Sequence, residues 1–361
     1  MSGIIKYMTI KSKLERMQMY IFANKEMLEK IKSCYLPTNL CVENLYVSIC
    51  NALGKDYKKM YAYSWNFGYA EKASLYADKI KISRDRQAYN FEEDYALETL
   101  CGIKPIWHMN VNCQEFLSII KRELIEGHPV LMGIDIYSCY WHKFFNNYHF
   151  LHFCLITGMD KEGLICIDDT LENCDGMYNL KEKVNRIHIS FEQYKKYSSC
   201  FATFVFKEPK KNLEVSKIIY SSASKVLNGY EEKSDFDYMR IMTEDIEKQF
   251  DLGKESEYEQ NPKAVRLIRS FATIGWSRVN YITFLNSVVV ENQILITNIS
   301  NSIKKSANLW DKISNYILLS LVVEKENFDS SQITRALEEV IILEESAAHT
   351  IVNEYKKGNL I

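Results

Sequence analysis

The sequence predicts an α+β domain followed by an all-helical one. Three observations carry this reading: short apolar runs up to about residue 206, a turn signal between two of them, and helical periodicity from residue 213 onward. The runs are Pro129-Val-Leu-Met-Gly-Ile-Asp135, Phe153-Cys-Leu-Ile-Thr157, Leu164-Ile-Cys-Ile167 and Cys200-Phe-Ala-Thr-Phe-Val-Phe206. Runs this short, cut by turn residues, fit buried or half-buried strands. Asp160-Lys-Glu-Gly163 is the turn, so residues 152–158 and 164–168 read as a hairpin. Further on, Val265, Ile268, Ala272 and Trp276 recur at helical spacing, as do Ile333, Ala336, Val340, Leu343 and Ala347.

With 361 residues, two domains are the natural division. The expected boundaries are an N-terminal extension over 1–30, an α+β domain over 31–208 and a domain of five or six helices over 213–361. Glu208-Pro-Lys-Lys-Asn-Leu213 is the expected link. The 45 basic and 47 acidic side chains leave a net charge of −2, and no basic block occurs. That balance points away from nucleic acid and anionic membranes as partners. No segment approaches the ~18 apolar residues of a membrane-spanning helix. The first residues scatter charge among short apolar runs, unlike a secretory signal. A cytoplasmic location with reduced thiols is therefore expected for the ten cysteines. No C-x-x-C pair exists, which argues against a structural zinc site.

Cysteine is where the chemistry enters. In Leu36-Pro-Thr-Asn-Leu-Cys41-Val-Glu-Asn-Leu45, the apolar positions Leu45, Ile49 and Leu53 fall on one helix face, and Gly54 is a helix stop. Thr38 and Asn39 are N-cap residue types. Cys41 is thereby placed in the first helical turn, where the dipole and free N–H groups favour a thiolate and can receive an oxyanion. Cys50 lies further along the helix without that advantage, and Cys34 precedes it. Most of the ten cysteines are expected to be small hydrophobes in a core.

Three of the seven histidines fall between 142 and 152. His152 opens the first hairpin strand and Asp168 closes the second, so the turn brings them together. A carboxylate there can hold the imidazole tautomer while the other nitrogen faces a thiol. Core or surface roles for His149 and His152, and a turn role for Asp168-Asp169, are the plain alternatives. A metal site from His149, His152 and Asp168 is disfavoured, because side chains three apart on a strand point to opposite faces.

His152-Phe-Cys-Leu-Ile-Thr-Gly158-Met-Asp160, with Cys41 before it and Asp168 after it, resembles the papain-like group that includes the bacteriocin-processing peptidases. Met159 stands where that group usually has Tyr. The sequence also resembles the butirosin biosynthesis protein H family, over most of its length. Cys41 and Gly54 followed by Ser64-Trp-Asn-Phe-Gly-Tyr69 carry this likeness, with Gly127-His-Pro-Val-Leu-Met-Gly-Ile-Asp135-Ile-Tyr137 and His149-Phe-Leu-His152. Ile274-Gly-Trp-Ser-Arg278, Phe284-Leu and Ala307-Asn-Leu-Trp310 extend it into the helical tail.

The resemblance implies a papain-like fold with a C-terminal helical domain, and a Cys41, His152, Asp168 triad. It implies an acyltransferase of natural-product (antibiotic) assembly. An acyl group passes from the phosphopantetheine thioester of an acyl or peptidyl carrier protein onto Cys41, then to a small amine, forming an amide with no cofactor and no metal. The closthioamide-type polythioamide amide synthases are a related group. The helical domain either caps the site or mediates a homodimer. Asp135, Tyr137 and Trp65 are candidates for substrate binding. A peptidase or amidase of the bacteriocin-processing type is the alternative. Those peptidases carry Gln about six residues before the Cys, where this chain has Tyr35. The backbone N–H of Cys41, with Asn39, is left as the oxyanion donor.

Overall fold

The structure is a computed structural model. It describes residues 25–81, 92–171, 185–209, 214–229, 233–257, 261–262, 265–323 and 328–360. The expected N-terminal extension up to residue 24, Cys174 and residues 210–213 of the expected link lie outside them.

In chain order the elements begin with helices α1 (Lys25–Lys30) and α2 (Cys41–Ala52), strand β1 (Gly68–Tyr69), α3 (Tyr76–Lys79), β2 (Ile80–Lys81) and α4 (Glu92–Ala96). Strand β3 (Ile103–Met109), α5 (Cys113–Ile125), β4 (Val130–Asp135), β5 (Leu151–Met159), β6 (Gly163–Ile167), β7 (Ile187–Ser190), α6 (Phe191–Tyr197) and β8 (Ser198–Phe206) follow. Six helices complete the described chain: α7 (Val215–Asn228), α8 (Asp235–Gln249), α9 (Leu252–Ser256), α10 (Arg266–Ser287), α11 (Gln293–Val322) and α12 (Ser331–Lys356). The architecture is mixed α+β with a helical C-terminal region.

The chain divides into two compact units, but not at one point. One unit takes residues up to Tyr57 and Ile103–Lys207; the other takes Lys58–Gly102 and Glu208–Ile361. Residues 58–102, expected within the α+β domain, thus group with the helices. Their aromatic side chains explain it: Phe67 stacks on Trp310 and Trp65 tilts against Tyr281.

The first unit is built on a six-stranded antiparallel sheet of order β3-β8-β4-β5-β6-β7. Strand β4 is buried along nearly its whole length, as its unbroken apolar run requires of a strand covered on both faces. Phe116 and Ile120 of α5 and Tyr194 of α6 pack with Met132, Ile134, Cys154, Ile156, Cys166 and Phe201 from the sheet. Helix α2 packs against β5, and its Tyr46 meets Phe204 of β8 edge-on. The predicted hairpin is β5 and β6. Its turn is fixed by Asp160, whose Oδ1 accepts the N–H groups of Glu162 and Gly163 at 2.8 and 2.9 Å. A side chain at Gly163 would press into the Ile189 carbonyl of the neighbouring strand.

The helical unit is organised around a buried carboxylate. Glu344 of α12 is 0 % exposed. Its oxygens accept Trp65 Nε1–H at 2.7 Å, Arg278 Nε–H at 3.0 Å and Nη2–H at 2.9 Å, Trp310 Nε1–H at 3.2 Å, and the Ser306 hydroxyl. The sequence suggested an apolar stripe through Val265, Ile268, Ala272 and Trp276. The buried face of α10 instead runs through Leu267, Phe271, Ile274, Arg278, Tyr281 and Leu285, because Arg278 must reach Glu344. Among the described residues no helix is long and apolar enough to cross a membrane.

Removing one partner of a buried ion pair leaves the other charge stranded. Arg278→Ala should lower the unfolding free energy by about 3–5 kcal/mol, measured by urea denaturation. A loss below about 1 kcal/mol would show that the Glu344 cluster contributes little.

Candidate active site

The hairpin brings His152 and Asp168 together. Asp168 follows the last residue of β6 and is 0 % exposed, while His152 near the start of β5 is 5 % exposed. His152 Nε2 lies 2.7 Å from Asp168 Oδ2. The same oxygen accepts the indole N–H of Trp141 at 2.9 Å and the thiol of Cys154 at 3.3 Å. Oδ1 accepts the backbone N–H and the hydroxyl of Thr170 at 2.9 and 2.7 Å. All five partners point donors at one carboxylate, which supports its ionised form.

Electrostatics follow from that geometry. Burial alone would push the Asp168 carboxyl up. The charge and hydrogen bond of His152, with the Thr170 donors, instead hold it well below the usual carboxylate range. Burial likewise disfavours a charged His152. The Asp168 charge and hydrogen bond, then the hydrogen bond and charge of Cys41, outweigh it and hold His152 well above the ordinary imidazole value. The pair is therefore carboxylate and imidazolium. With Nε2 committed to Asp168, Nδ1 is the nitrogen left for Cys41.

Cys41 is the first residue of α2 and is partly exposed. Neither Thr38 nor Asn39 takes the N-cap position. The N-cap position is Leu40, with no side-chain cap, and its own N–H donates to Glu43 Oε2 at 2.7 Å. Asn39 lies one residue before the N-cap, in the preceding turn, its N–H bonded to the Leu36 carbonyl. The first intrahelical bond runs from Asn44 N–H to the Leu40 carbonyl. The N–H groups of Cys41, Val42 and Glu43 consequently have no acceptor within the helix, an arrangement suited to an anion beside Cys41. Asn39, 7 % exposed, sits two residues before the thiol.

A second tie joins the helix to the hairpin end. Asn44 Nδ2–H donates to Asp169 Oδ2 at 2.9 Å, and Asn44 Oδ1 accepts Leu36 N–H at 3.0 Å. Burial, then the neighbouring Asp168 charge, pushes the Asp169 carboxyl up to about 7, against the opposing effects of His152 and Asn44. Two adjacent buried carboxyl groups thus divide into one that is ionised and one that binds its proton readily.

The remaining predicted residues have other partners. Asp135 ends β4, accepts Tyr137 N–H at 3.0 Å and pairs with His149 Nδ1 at 2.7 Å. The Tyr137 and His149 rings stack at 4.2 Å. Tyr137 also lines a cleft of about 330 Å³ with Phe145, Asn146, Glu192, Lys196 and Tyr197. Trp65 requires a correction as a substrate-binding candidate. It is 2 % exposed, and its indole is consumed by Glu344 and Tyr281 in the core of the helical unit.

Sequence reasoning missed Trp141, Cys154, Thr170, Asn44 and Asp169. Two had a readable signal: Cys154 shares a strand face with His152, two residues on, and Asn44 lies one helical turn after Cys41. Trp141 had none, since only tertiary folding carries it to Asp168. His149 is not with His152 and Asp168, so the disfavoured metal triplet is not assembled. His152, Cys154 and Asp168 do offer ligand atoms within 4.8 Å of one another. Their close hydrogen bonds, and the burial that pushes the Cys154 thiol well up, fit a hydrogen-bond network better than a cation cage. Among the described cysteines all are free thiols, and only Cys34, Cys41 and Cys113 are not buried. No protein-family model matches the chain, and no curated protein compared with it matches either.

The linkage has a definite sign. The raised His152 value stabilises the folded state fully below the unfolded imidazole value, about 6.5, and that contribution is lost as pH rises through the folded value. The depressed Asp168 value stabilises above the unfolded carboxyl value, about 3.9, and is lost as pH falls through the folded one. Asp168→Asn removes the strongest influence that holds His152 up, leaving burial to act against it. Its titration midpoint, followed by ¹⁵N NMR of the ring, should fall below that of the native protein. An unchanged midpoint would show that Asp168 does not govern the base.

Proposed function

We propose that this protein is a cysteine-dependent acyltransferase that forms amides. The observation that carries the reading is the convergence of a partly exposed helix-start thiol, Cys41, on a buried imidazolium, His152, that Asp168 holds in place. The likeness to the butirosin biosynthesis protein H family supports the finer part: a papain-like scaffold, a carrier-protein thioester as donor and a small amine as acceptor.

The chemistry balances without an added energy source. Cys41 thiolate attacks the thioester carbonyl carbon, forming a carbon–sulfur bond. The tetrahedral oxyanion lies against the N–H groups at the start of α2, with Asn39 beside them. As it collapses, the bond to the carrier's phosphopantetheine sulfur breaks, and His152 gives that sulfur its proton. One thioester replaces another, so the step is nearly isoenergetic. The amine then attacks the acyl-enzyme. His152 takes the amine proton, the carbon–nitrogen bond forms, and Cys41 leaves as thiolate. Asp168 acts through His152 as its positioning residue.

Incubation with a short acyl thioester, with and without an amine, tests this by intact mass. A single acyl adduct on Cys41 that resolves faster with amine, giving the amide, is the expected result. An adduct that resolves equally fast in water would indicate a hydrolase instead. Cys41→Ala should abolish both adduct and amide, whereas Cys50→Ala, altering a fully buried thiol, should not; full activity in Cys41→Ala would sink the proposal. His152→Ala should slow amide formation by about 10²–10⁴-fold.

A further inference from the structure

The segment 136–150 links β4 to β5 and carries His142 against the His152 ring. The two ring centroids are 5.3 Å apart, with planes tilted by 48°. His142 is 7 % exposed. Its Nδ1 accepts the N–H of Phe144 at 3.2 Å, so the ring proton of the neutral imidazole sits on Nε2. Burial first, then the His152 charge, pushes His142 down to about 4, with Asp168 opposing and Lys143 assisting. At neutral pH it is an uncharged donor of fixed tautomer. Nε2 meets no acceptor among the described residues, yet it is not among the fully buried polar atoms lacking a partner. That N–H is therefore left without an acceptor among the described residues, on a ring packed against the base.

The reaction places a substrate atom there. His152 must take a proton from the incoming amine, which brings the amine nitrogen within about 2.6–3.2 Å of the base. A donor on a ring whose centre is 5.3 Å from His152 then lies beside the acceptor. Being neutral, it does not repel the His152 imidazolium. A plain packing role against Phe144, at 5.1 Å, would make no use of the spare N–H.

The geometry points to His142 as a specificity-determining residue whose Nε2–H binds an oxygen next to the nucleophilic nitrogen of the acceptor. The acceptor class is an amine bearing a neighbouring carbonyl, as in an α-amino amide, in preference to a plain alkylamine. This rests on the acyl-transfer reading above.

The test compares glycinamide with ethylamine as acceptors for the acyl-enzyme made from a short acyl thioester. The readout is the change, from native protein to variant, in the ratio of their amide-forming rates, in which any general slowing of a variant cancels, as does the intrinsic reactivity of each amine. In His142→Phe, which keeps a planar ring but no donor, the ratio should shift against glycinamide by about three- to tenfold. His142→Gln, which restores an N–H donor, should recover part of it. A ratio unchanged in His142→Phe overturns the assignment.

Should either variant fail to fold, ¹⁵N NMR of Cys41→Ala with His142 intact gives the answer. Glycinamide should shift the His142 Nε2 signal and ethylamine should not; equal responses overturn the assignment. If no acyl-enzyme forms on the native protein, the acyl-transfer reading fails and takes this inference with it. If it forms and both amines consume it with an unshifted ratio, only the role of His142 fails.

Discussion

A carboxylate taken wholly out of water must find enough donors or give up its charge. Asp168 finds them, and the rest of the site follows from that. His152 and Cys154 come from β5, Trp141 from the segment before it, and Thr170 from the turn after β6. The donors arrive on three stretches of backbone, so satisfying one carboxylate fixes the hairpin end, the preceding loop and the following turn together. The Ser33 hydroxyl on the Asp168 carbonyl, at 2.5 Å, brings in the segment leading to α2. Asn44, through Asp169, then sets the helix that begins with Cys41. The thiol is placed by contacts to the same hairpin end that the charged carboxylate organises.

The helical unit solves the same problem differently. Glu344 is as deeply buried and as fully bonded, but its ionic partner is Arg278. A guanidinium cannot release its proton in a protein, and its donors go to Glu344, the Asn66 carbonyl and the Ser277 hydroxyl. That arrangement holds helices together. At Asp168 the partner is an imidazole with a second nitrogen left for a thiol. Two buried carboxylates with similar bonding thus differ in chemical capacity because of the group each one holds.

The hairpin was legible because its signals are local: apolar runs, a turn with Asp160 and Gly163, and His152 and Asp168 at matching ends. The helix start at Cys41 was legible from the spacing of Leu45 and Ile49. What escaped was carried by tertiary packing. Nothing near Trp65 in sequence announces Glu344, 279 positions away, so Trp65 stood as a substrate-binding candidate when it is core. The same distance effect moved residues 58–102 into the helical unit. The cap at Cys41 escaped for a subtler reason: Asn39 has the right side chain, but it ends the turn from Leu36 and the helix begins one residue later, with Leu40 at the N-cap.

The central claim is that Asp168 acts only through His152 to make Cys41 an acyl acceptor. A kinetic double-mutant cycle tests it most directly. The rate of acyl-adduct formation on Cys41 is measured in the native protein, in Asp168→Asn, in His152→Ala and in the double variant. Residues that work as one unit lose their effect together. The account predicts that the double variant is no slower than His152→Ala alone. Losses that multiply would show that Asp168 and His152 act independently, and would contradict it.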